Sequence, residues 1–211
     1  MNFDLPKNIA ESIEALSVPI LESISKEEIE GFKPYYERYY ENKYCTIFNT
    51  DTENNDIFVR FHTNRLILVS IAAGHDIFRH KKTIESIDFN VNGTNMLDIS
   101  ISGKKKAGAK KLKKNSVLCF IKCKDDDKQY PVYSCIPSSL IEVNHLVLDK
   151  PQLLISSYKE LGFIGVLYPQ RSGPKASSID KMFADLKLHS ESEYQQYLGS
   201  RREATEAEIV P

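Results

Sequence analysis

From Ile57 onward the chain alternates short apolar runs with polar turns, a texture of β-strands rather than helices. Ile57 to Phe61, the turn His62-Thr63-Asn64-Arg65 and the β-branched, apolar stretch Leu66 to Ala72 predict a hairpin. A second pair is predicted over 83–91, carrying Ile84, Ile87, Phe89 and Val91, and over 96–102, where Leu97, Ile99 and Ile101 alternate with Asp98 and Ser100. The turn between them is Asn92-Gly93-Thr94-Asn95. Successive strand side chains point to opposite sides, so this alternation implies one buried face. A third pair is predicted over 117–124 and 129–136, around the acidic tip Asp125-Asp126-Asp127-Lys128. A further strand is expected over 140–145, and after a short Pro-led block at 151–154 a last buried one, Gly162 to Tyr168, is stopped by Pro169. Eight or nine short strands joined by polar turns imply a sandwich or barrel.

The flanks read as helical. Over 7–31, Ile9, Ile13 and Leu16 share one helical face, and Leu21 and Ile24 continue beyond Pro19, which breaks the segment in two because it lacks an N–H and crowds the preceding turn. Gly31 and Pro34 end it. Tyr35, Tyr36, Tyr39, Tyr40 and Tyr44 then crowd into ten residues, read as a helical turn or strand whose rings pack on the edge of a sheet. Beyond Gln170, helices are expected over 178–188 and 191–202. Ser178 is the candidate N-cap, and Ile179, Met182, Phe183 and Leu186 form an apolar face that docks on a partner or on the β core. The organisation is therefore an N-terminal helical extension (1–34), a β domain (35–170) and a C-terminal helical tail (171–211), sharing one core.

Composition supports a folded chain: 41% of the 211 residues are apolar and 27% charged. No apolar run approaches the ~18–20 residues of a membrane span, and the acidic start lacks a signal-peptide pattern, so the expectation is a cytosolic or nuclear protein with no membrane partner. Cys45, Cys119, Cys123 and Cys135 show neither CxxC spacing nor zinc-type histidine pairing, and read as reduced, mostly buried thiols. His62, His75, His80, His145 and His189 are scattered, and the first three read as capping or surface residues rather than metal ligands. Nucleophile-elbow, P-loop, dinucleotide and zinc-protease motifs are all missing from the sequence, which implies neither catalytic residues nor cofactor.

The net charge of −1 conceals a local concentration, because seven of the twelve residues from Gly103 to Lys114 are lysine. Lys104, Lys105, Lys106, Lys110, Lys111, Lys113 and Lys114 together make a positive field suited to phosphate, acidic lipid or an acidic protein face, and they also suit a nuclear localisation signal. A solvated loop that only opposes aggregation is the alternative. Nucleic acid is the less fitting ligand, since the chain is not basic overall and Asp125 to Asp127 offset the patch.

Several of these residues, in order, resemble the core of lipoyl and biotinyl carrier domains, with the glycine cleavage H protein nearest in form. They are Ser102 to Ala109, Leu112, Ser116 to Ile121, the hairpin after it, Leu140-Ile141-Glu142-Val143-Asn144 and Gly162-Phe163. In such carriers a lysine at a hairpin tip takes the cofactor. Counting back from Glu142-Val143-Asn144 puts that position at Asp127, with Lys128 one step away and outside the usual acidic-small-Lys-apolar context. The resemblance thus implies a carrier fold without cargo, with Lys128 the attachment residue only if the carrier alternative holds.

The span from Tyr36 to Arg202 is more similar still to the Abitram (Simiate) family. The matching residues are the Tyr-rich entry, Lys43 with Cys45, His62-x-Asn64-Arg65 with Leu66 to Ala72 and His75, and Lys82-Thr83-Ile84. They continue through Ser102-Gly103-Lys104, Gly108-Ala109, Ser134-Cys135, Leu140 to Asn144, Lys150-Pro151, Gly162-Phe163-Ile164 to Pro169, and Tyr194 to Arg202. The N-terminal stretch 7–31 looks longer than the family's start. What this resemblance implies is a mainly-β, H-protein-like barrel-sandwich hybrid with helical extensions. It also implies an actin-binding protein of cytoplasm and nucleus, tied to filopodia, lamellipodia, nuclear speckles and transcription. The family supplies no catalytic residues and no residue-level actin site. Three readings follow: a binding module using the lysine turn, a covalent carrier, or a structural subunit docking through 7–31 and 178–202.

Overall fold

The Ile57–Ile71 hairpin forms as its apolar runs and polar turn predict, and its neighbours assemble around it. The computed structural model describes residues 25–50, 52–99, 108–124, 126–169 and 186–209, and the chain divides into units 1–38 and 39–211. In the first unit, helix α1 (Lys26–Glu30) closes at Gly31, whose N–H donates to the Glu27 carbonyl at 2.8 Å. After Pro34 a single turn, α2 (Tyr35–Arg38), follows, and the Arg38 guanidinium lies 4.6 Å over the exposed Phe32 ring. The break expected at Pro19 lies outside the described residues.

In the second unit the elements run β1 (Tyr40–Cys45), β2 (Ile57–His62), β3 (Ile67–Ile71), α3 (Asp76–Arg79), β4 (Ile84–Asp88), β5 (Asn90–Val91), β6 (Thr94–Asn95), β7 (Lys110–Leu112) and β8 (Val117–Cys123). They continue through β9 (Gln129–Tyr133), β10 (Ser138–Val143), α4 (Leu146–Asp149), α5 (Leu153–Ser156), β11 (Gly165–Pro169) and α6 (Glu191–Ile209). A six-stranded sheet has the order β1-β2-β3-β11-β10-β7, a three-stranded sheet the order β4-β8-β9, and β5-β6 is a separate small hairpin. All these pairings are antiparallel. The mainly-β class expected from the sequence is what the chain adopts.

One contiguous apolar core takes side chains from both larger sheets, among them Ile57, Val59, Val69 and Leu167 from one and Ile87, Leu118 and Ile121 from the other. β2 is buried on both faces. Ile57 and Val59 enter that core, whereas Phe58 turns to a second cluster with Tyr44, Ala72 and Tyr194. The Tyr44 ring stacks on Tyr194 at 4.0 Å, so α6 covers the outer face of the sheet. Tyr44 therefore packs as expected, while Tyr35 and Tyr39 are exposed. Arg60, also within β2, is buried with its guanidinium donating to the carbonyls of Lys159 and Glu160 and lying 5.5 Å over the Tyr40 ring.

The structure corrects the sequence reading at three places. The strand expected over 96–102 is not formed by 96–99: the Asn92-Gly93 turn closes as predicted, with φ of 50° and 75°. Beyond it, the Asn95 side chain accepts from the Leu97 N–H at 3.0 Å, a local bond that competes with a ladder. β4 pairs instead with β8, placing Ile87 opposite Ile121. The last strand begins at Gly165 rather than Gly162, because the Asn144 amide donates to the carbonyls of Leu161 (2.8 Å) and Phe163 (2.7 Å) and holds that stretch as a loop. The strand ends at Pro169, as expected, with Pro169 pairing opposite Ser138.

The Pro-led block, to which the sequence assigned no element, enters α5. Third, the helix expected over 178–188 lies largely outside the described residues, including Ser178, Ile179, Met182 and Phe183, and 186–188 are not helical. His189 there exchanges backbone bonds with Tyr44 at 2.8 and 2.9 Å. α6 extends past the expected Arg202 to Ile209. It opens on a capping box: the Ser190 N–H donates to Glu193 Oε2 at 2.6 Å, and Ser190 Oγ accepts from the Glu193 N–H at 3.4 Å.

Candidate functional site

Among the described strands β7 stands last in the six-stranded sheet, beside β10. Its period of two separates the lysines. Leu112 is buried opposite Ser138, whereas Lys111, opposite Ser139, is exposed. Lys110 is half-buried, and its ammonium donates to the Asn95 carbonyl across to the small hairpin. Lys113 and Lys114 follow in the turn to β8 with exposed side chains. The turn itself is held: the Lys113 N–H donates to Ser116 Oγ at 2.9 Å, and the Lys113 carbonyl accepts from Ser116 N–H (2.9 Å) and Ser134 Oγ (3.0 Å). Among the described residues no carboxylate pairs with Lys111, Lys113 or Lys114. Their field therefore acts outward, over the roughly 10 Å that salt leaves unscreened at 0.1 M. Lys104, Lys105 and Lys106 lie outside the described residues.

Between the β5–β6 hairpin and the β7–β8 turn lies a cleft of about 530 Å³. Val91, Met96 and Leu112 give it an aliphatic floor, and Lys110, Lys111 and Asn115 a polar rim.

The β8–β9 tip is a different environment. Lys82 Nζ lies 2.6 Å from Asp126 Oδ2, which also accepts from the Tyr130 hydroxyl at 2.7 Å, while Asp126 Oδ1 accepts from the Lys128 N–H at 3.0 Å. The hydrogen bond from Lys82 holds the Asp126 carboxyl far below its ordinary range, and the same bond raises Lys82. Asp126 is thus neutralised locally rather than offsetting the lysine edge. Lys128 Nζ lies 2.9 Å from Glu53 and 4.9 Å over the Tyr130 ring.

The histidines do not converge. His75 caps α3, its Nδ1 accepting from the Ile77 N–H at 3.2 Å, but it is fully buried rather than at the surface. Burial pushes its pKa down to about 4, against an opposing pull from Asp56 and Asp76. His62 Nδ1 accepts from the Asn64 N–H, and the His80 ring bonds the Asp76 carbonyl. The four cysteines are buried and unpaired by disulfide, as expected. Among the described residues no group of three or more His, Cys, Asp or Glu is placed to hold a metal, and no helix is long and apolar enough to cross a membrane.

Sequence reasoning missed a buried polar network under α6. Asp56, wholly inaccessible, accepts from the Tyr194 hydroxyl at 2.6 Å and pairs with Arg201 at 3.2 Å. Gly74 completes it, its N–H donating to Tyr194 Oη (2.9 Å) and its carbonyl accepting from Arg201 Nη2 (2.8 Å). Its members lie 138 and 145 positions apart, so no local pattern signals them. The network anchors the tail and exposes no reactive group.

No family model matches the chain. Among curated proteins it is 35% identical over 136 residues to the Protein Abitram of Dictyostelium discoideum, covering 63% of this chain and 74% of that one. It is 30% identical over 171 residues to that of Xenopus tropicalis, covering 81% and 84%. The match to the Danio rerio protein is 34% identical over 110 residues, covering 52% of this chain and 62%, a little under two thirds, of the relative's own length. Among solved structures, a glycine cleavage system H protein from Mycobacterium marinum is similar over 75% of this chain and 97% of that one, at 10% identity and a TM-score of 0.46. On the similarity to the curated relatives, the chain belongs to the Abitram family.

Proposed function

We propose that this chain is a non-enzymatic protein-binding module whose lysine edge docks on an acidic macromolecular surface. Actin is the partner that the family resemblance implies, with modulation of actin assembly as the consequence and with cytoplasm and nucleus as the compartments. The observation that carries the reading is the exposed trio Lys111, Lys113 and Lys114, unpaired with any carboxylate among the described residues and fixed on β7 and the held turn that follows it. Charges so placed speed encounter with an oppositely charged face and impose salt sensitivity. Lys110 belongs to the scaffold of this edge through its bond to Asn95.

The carrier alternative needs a lysine that projects from the hairpin tip. Lys128 instead holds Glu53 and lies against Tyr130. The structural-subunit alternative docks through 7–31 and 178–202, of which 7–24 and 178–185 lie outside the described residues, while Tyr194 of α6 packs on the chain's own sheet. Co-sedimentation with filamentous actin at low salt tests the reading directly. Pelleting with actin is expected, and its absence removes actin as the partner.

A further inference from the structure

We infer that Cys45 and Cys135 form a redox-responsive dithiol that hydrogen peroxide closes, reversibly, into a disulfide tying the six-stranded sheet to the three-stranded one. The inference goes beyond the docking reading and does not depend on it.

Placement brings the two sulfurs together. Cys45 ends β1 in the six-stranded sheet, and Cys135 follows β9 of the three-stranded sheet by two residues. Both are buried in the same core. The two stretches run side by side: three residues beyond Cys45, the Phe48 ring stacks on Tyr133 with centroids 3.9 Å apart and planes 15° from parallel. The thiols of Cys45 and Cys135 meet there and share a hydrogen bond, and Cys135 Sγ also lies 3.6 Å from the Tyr133 carbonyl. Cys135 reaches this position through a left-handed backbone, with φ of 59°. A residue carrying a Cβ adopts that conformation at a cost, and only where its surroundings hold it. Ser134 does so, its Oγ lying 3.0 Å from the Lys113 carbonyl and 2.7 Å from that of Ile136, and its N–H donating to the Ser116 carbonyl at 2.9 Å. Thiols already in contact need only a short approach to the ~2.05 Å of a disulfide.

The other two cysteines make the contrast. Cys119 and Cys123 lie on β8, four positions apart. That is about 13 Å along a strand, well beyond the roughly 7 Å that a disulfide spans between Cα atoms. Burial pushes both of their thiols up.

Within the pair the two sulfurs differ. The hydrogen bond from Cys135 draws the Cys45 thiol below its ordinary range, helped by the Ile47 N–H and the Lys114 ammonium, against burial and the Asp56 charge. Burial first, and then the bond to Cys45, push Cys135 up. Cys45 is therefore the attacking sulfur and Cys135 the resolving one. The Cys45 thiolate takes one oxygen of hydrogen peroxide as the O–O bond breaks, giving a sulfenic acid, and the departing hydroxide takes up a proton and leaves as water. The Cys135 sulfur then attacks Cys45 Sγ, the S–O bond breaks, and the hydroxyl leaves with the Cys135 proton as a second water. Two thiols lose two electrons in all, and one peroxide becomes two waters. Cys45 sits two residues from the exposed Ile47, and peroxide, little larger than water, reaches it when the turn closed by the Asn49 N–H on the Thr46 carbonyl opens.

The test is exposure of the reduced full chain to hydrogen peroxide, with remaining thiols trapped by N-ethylmaleimide in denaturant and peptides mapped by mass. The Cys45–Cys135 link is expected about tenfold sooner than any oxidation of Cys119 or Cys123, and dithiothreitol should reverse it. Two single variants check the roles with dimedone present: Cys135→Ala should accumulate a dimedone adduct on Cys45, whereas Cys45→Ala should leave Cys135 a thiol. All four thiols trapped unchanged, a link through Cys119 or Cys123, or first oxidation at either of those two would overturn the inference, as would dimedone capture at Cys135 rather than Cys45. Should a variant fail to fold by circular dichroism, the map of the parent chain decides alone.

Discussion

Replacing Gly74 with alanine should undock the C-terminal helix. A Cβ at this position would lie 2.6 Å from both Tyr194 Oη and Arg201 Nη2, and closer still to Asp56 Oδ2. The three groups can make room only by moving apart, which breaks the Tyr194 and Arg201 bonds to a carboxylate with no solvent access and leaves it only the one from Asn49. Removing the partners of a buried charge costs about 3–5 kcal/mol. Partial relaxation of the flexible Arg201 side chain argues for the lower end, so Gly74→Ala should cost ~3 kcal/mol and lower Tm by roughly 6–12 °C. The assay is thermal unfolding followed by far-UV circular dichroism and by tyrosine fluorescence, the chain having 11 tyrosines and no tryptophan, with hydrogen exchange over α6. Gly199→Ala is the internal control. It lies on α6 with nothing near its would-be Cβ, so it should stabilise by up to about 1 kcal/mol through helix propensity alone. A Gly74→Ala protein within about 1 kcal/mol of the parent, or one with unchanged protection of α6, would refute the reasoning.

Two other perturbations follow from the same structure. The folded pKa of His75, about 4, lies below its ordinary 6.5, so the unfolded chain binds the proton more readily. Stability from this site is complete above about pH 6.5 and is lost as pH falls toward 4, amounting to ~3 kcal/mol. His75→Asn keeps a capping side chain that does not titrate, and urea denaturation between these pH values should show a shallower decline for it; parallel curves would sink the assignment. Lys128→Ala removes a partly exposed ion pair and should change stability by only about 0–1 kcal/mol, while intact mass of the native protein should show Lys128 unmodified. An added lipoyl or biotinyl mass would restore the carrier alternative.

Strand pairs were legible where apolar alternation and turn chemistry agree, as in Ile57 to Ile71 and Val117 to Tyr133. The same alternation misled at Leu97 to Ile99. Period two reports which side chains prefer burial, and Leu97 and Ile99 do pack against the core, but it is blind to the Asn95 side chain that diverts the backbone. The start of α6 at Glu191 was legible, whereas the Ser190–Glu193 capping box that fixes it comes from the structure. The Asp56 network was not legible, because its partners meet only through tertiary packing. Of the lysine edge, sequence showed the charge density but not the division of labour, in which Lys110 braces the hairpin while Lys111, Lys113 and Lys114 face outward. That division needs the strand register of β7 against β10.

The most direct test of the lysine edge is the affinity for filamentous actin, measured by co-sedimentation from about 50 to about 200 mM salt. The full chain and the Lys111→Glu, Lys113→Glu, Lys114→Glu triple variant are compared after circular dichroism has shown equal folding. The account predicts binding that weakens steeply with salt and is lost in the variant. Salt-independent binding, or a variant that pellets as well as the parent, would contradict it.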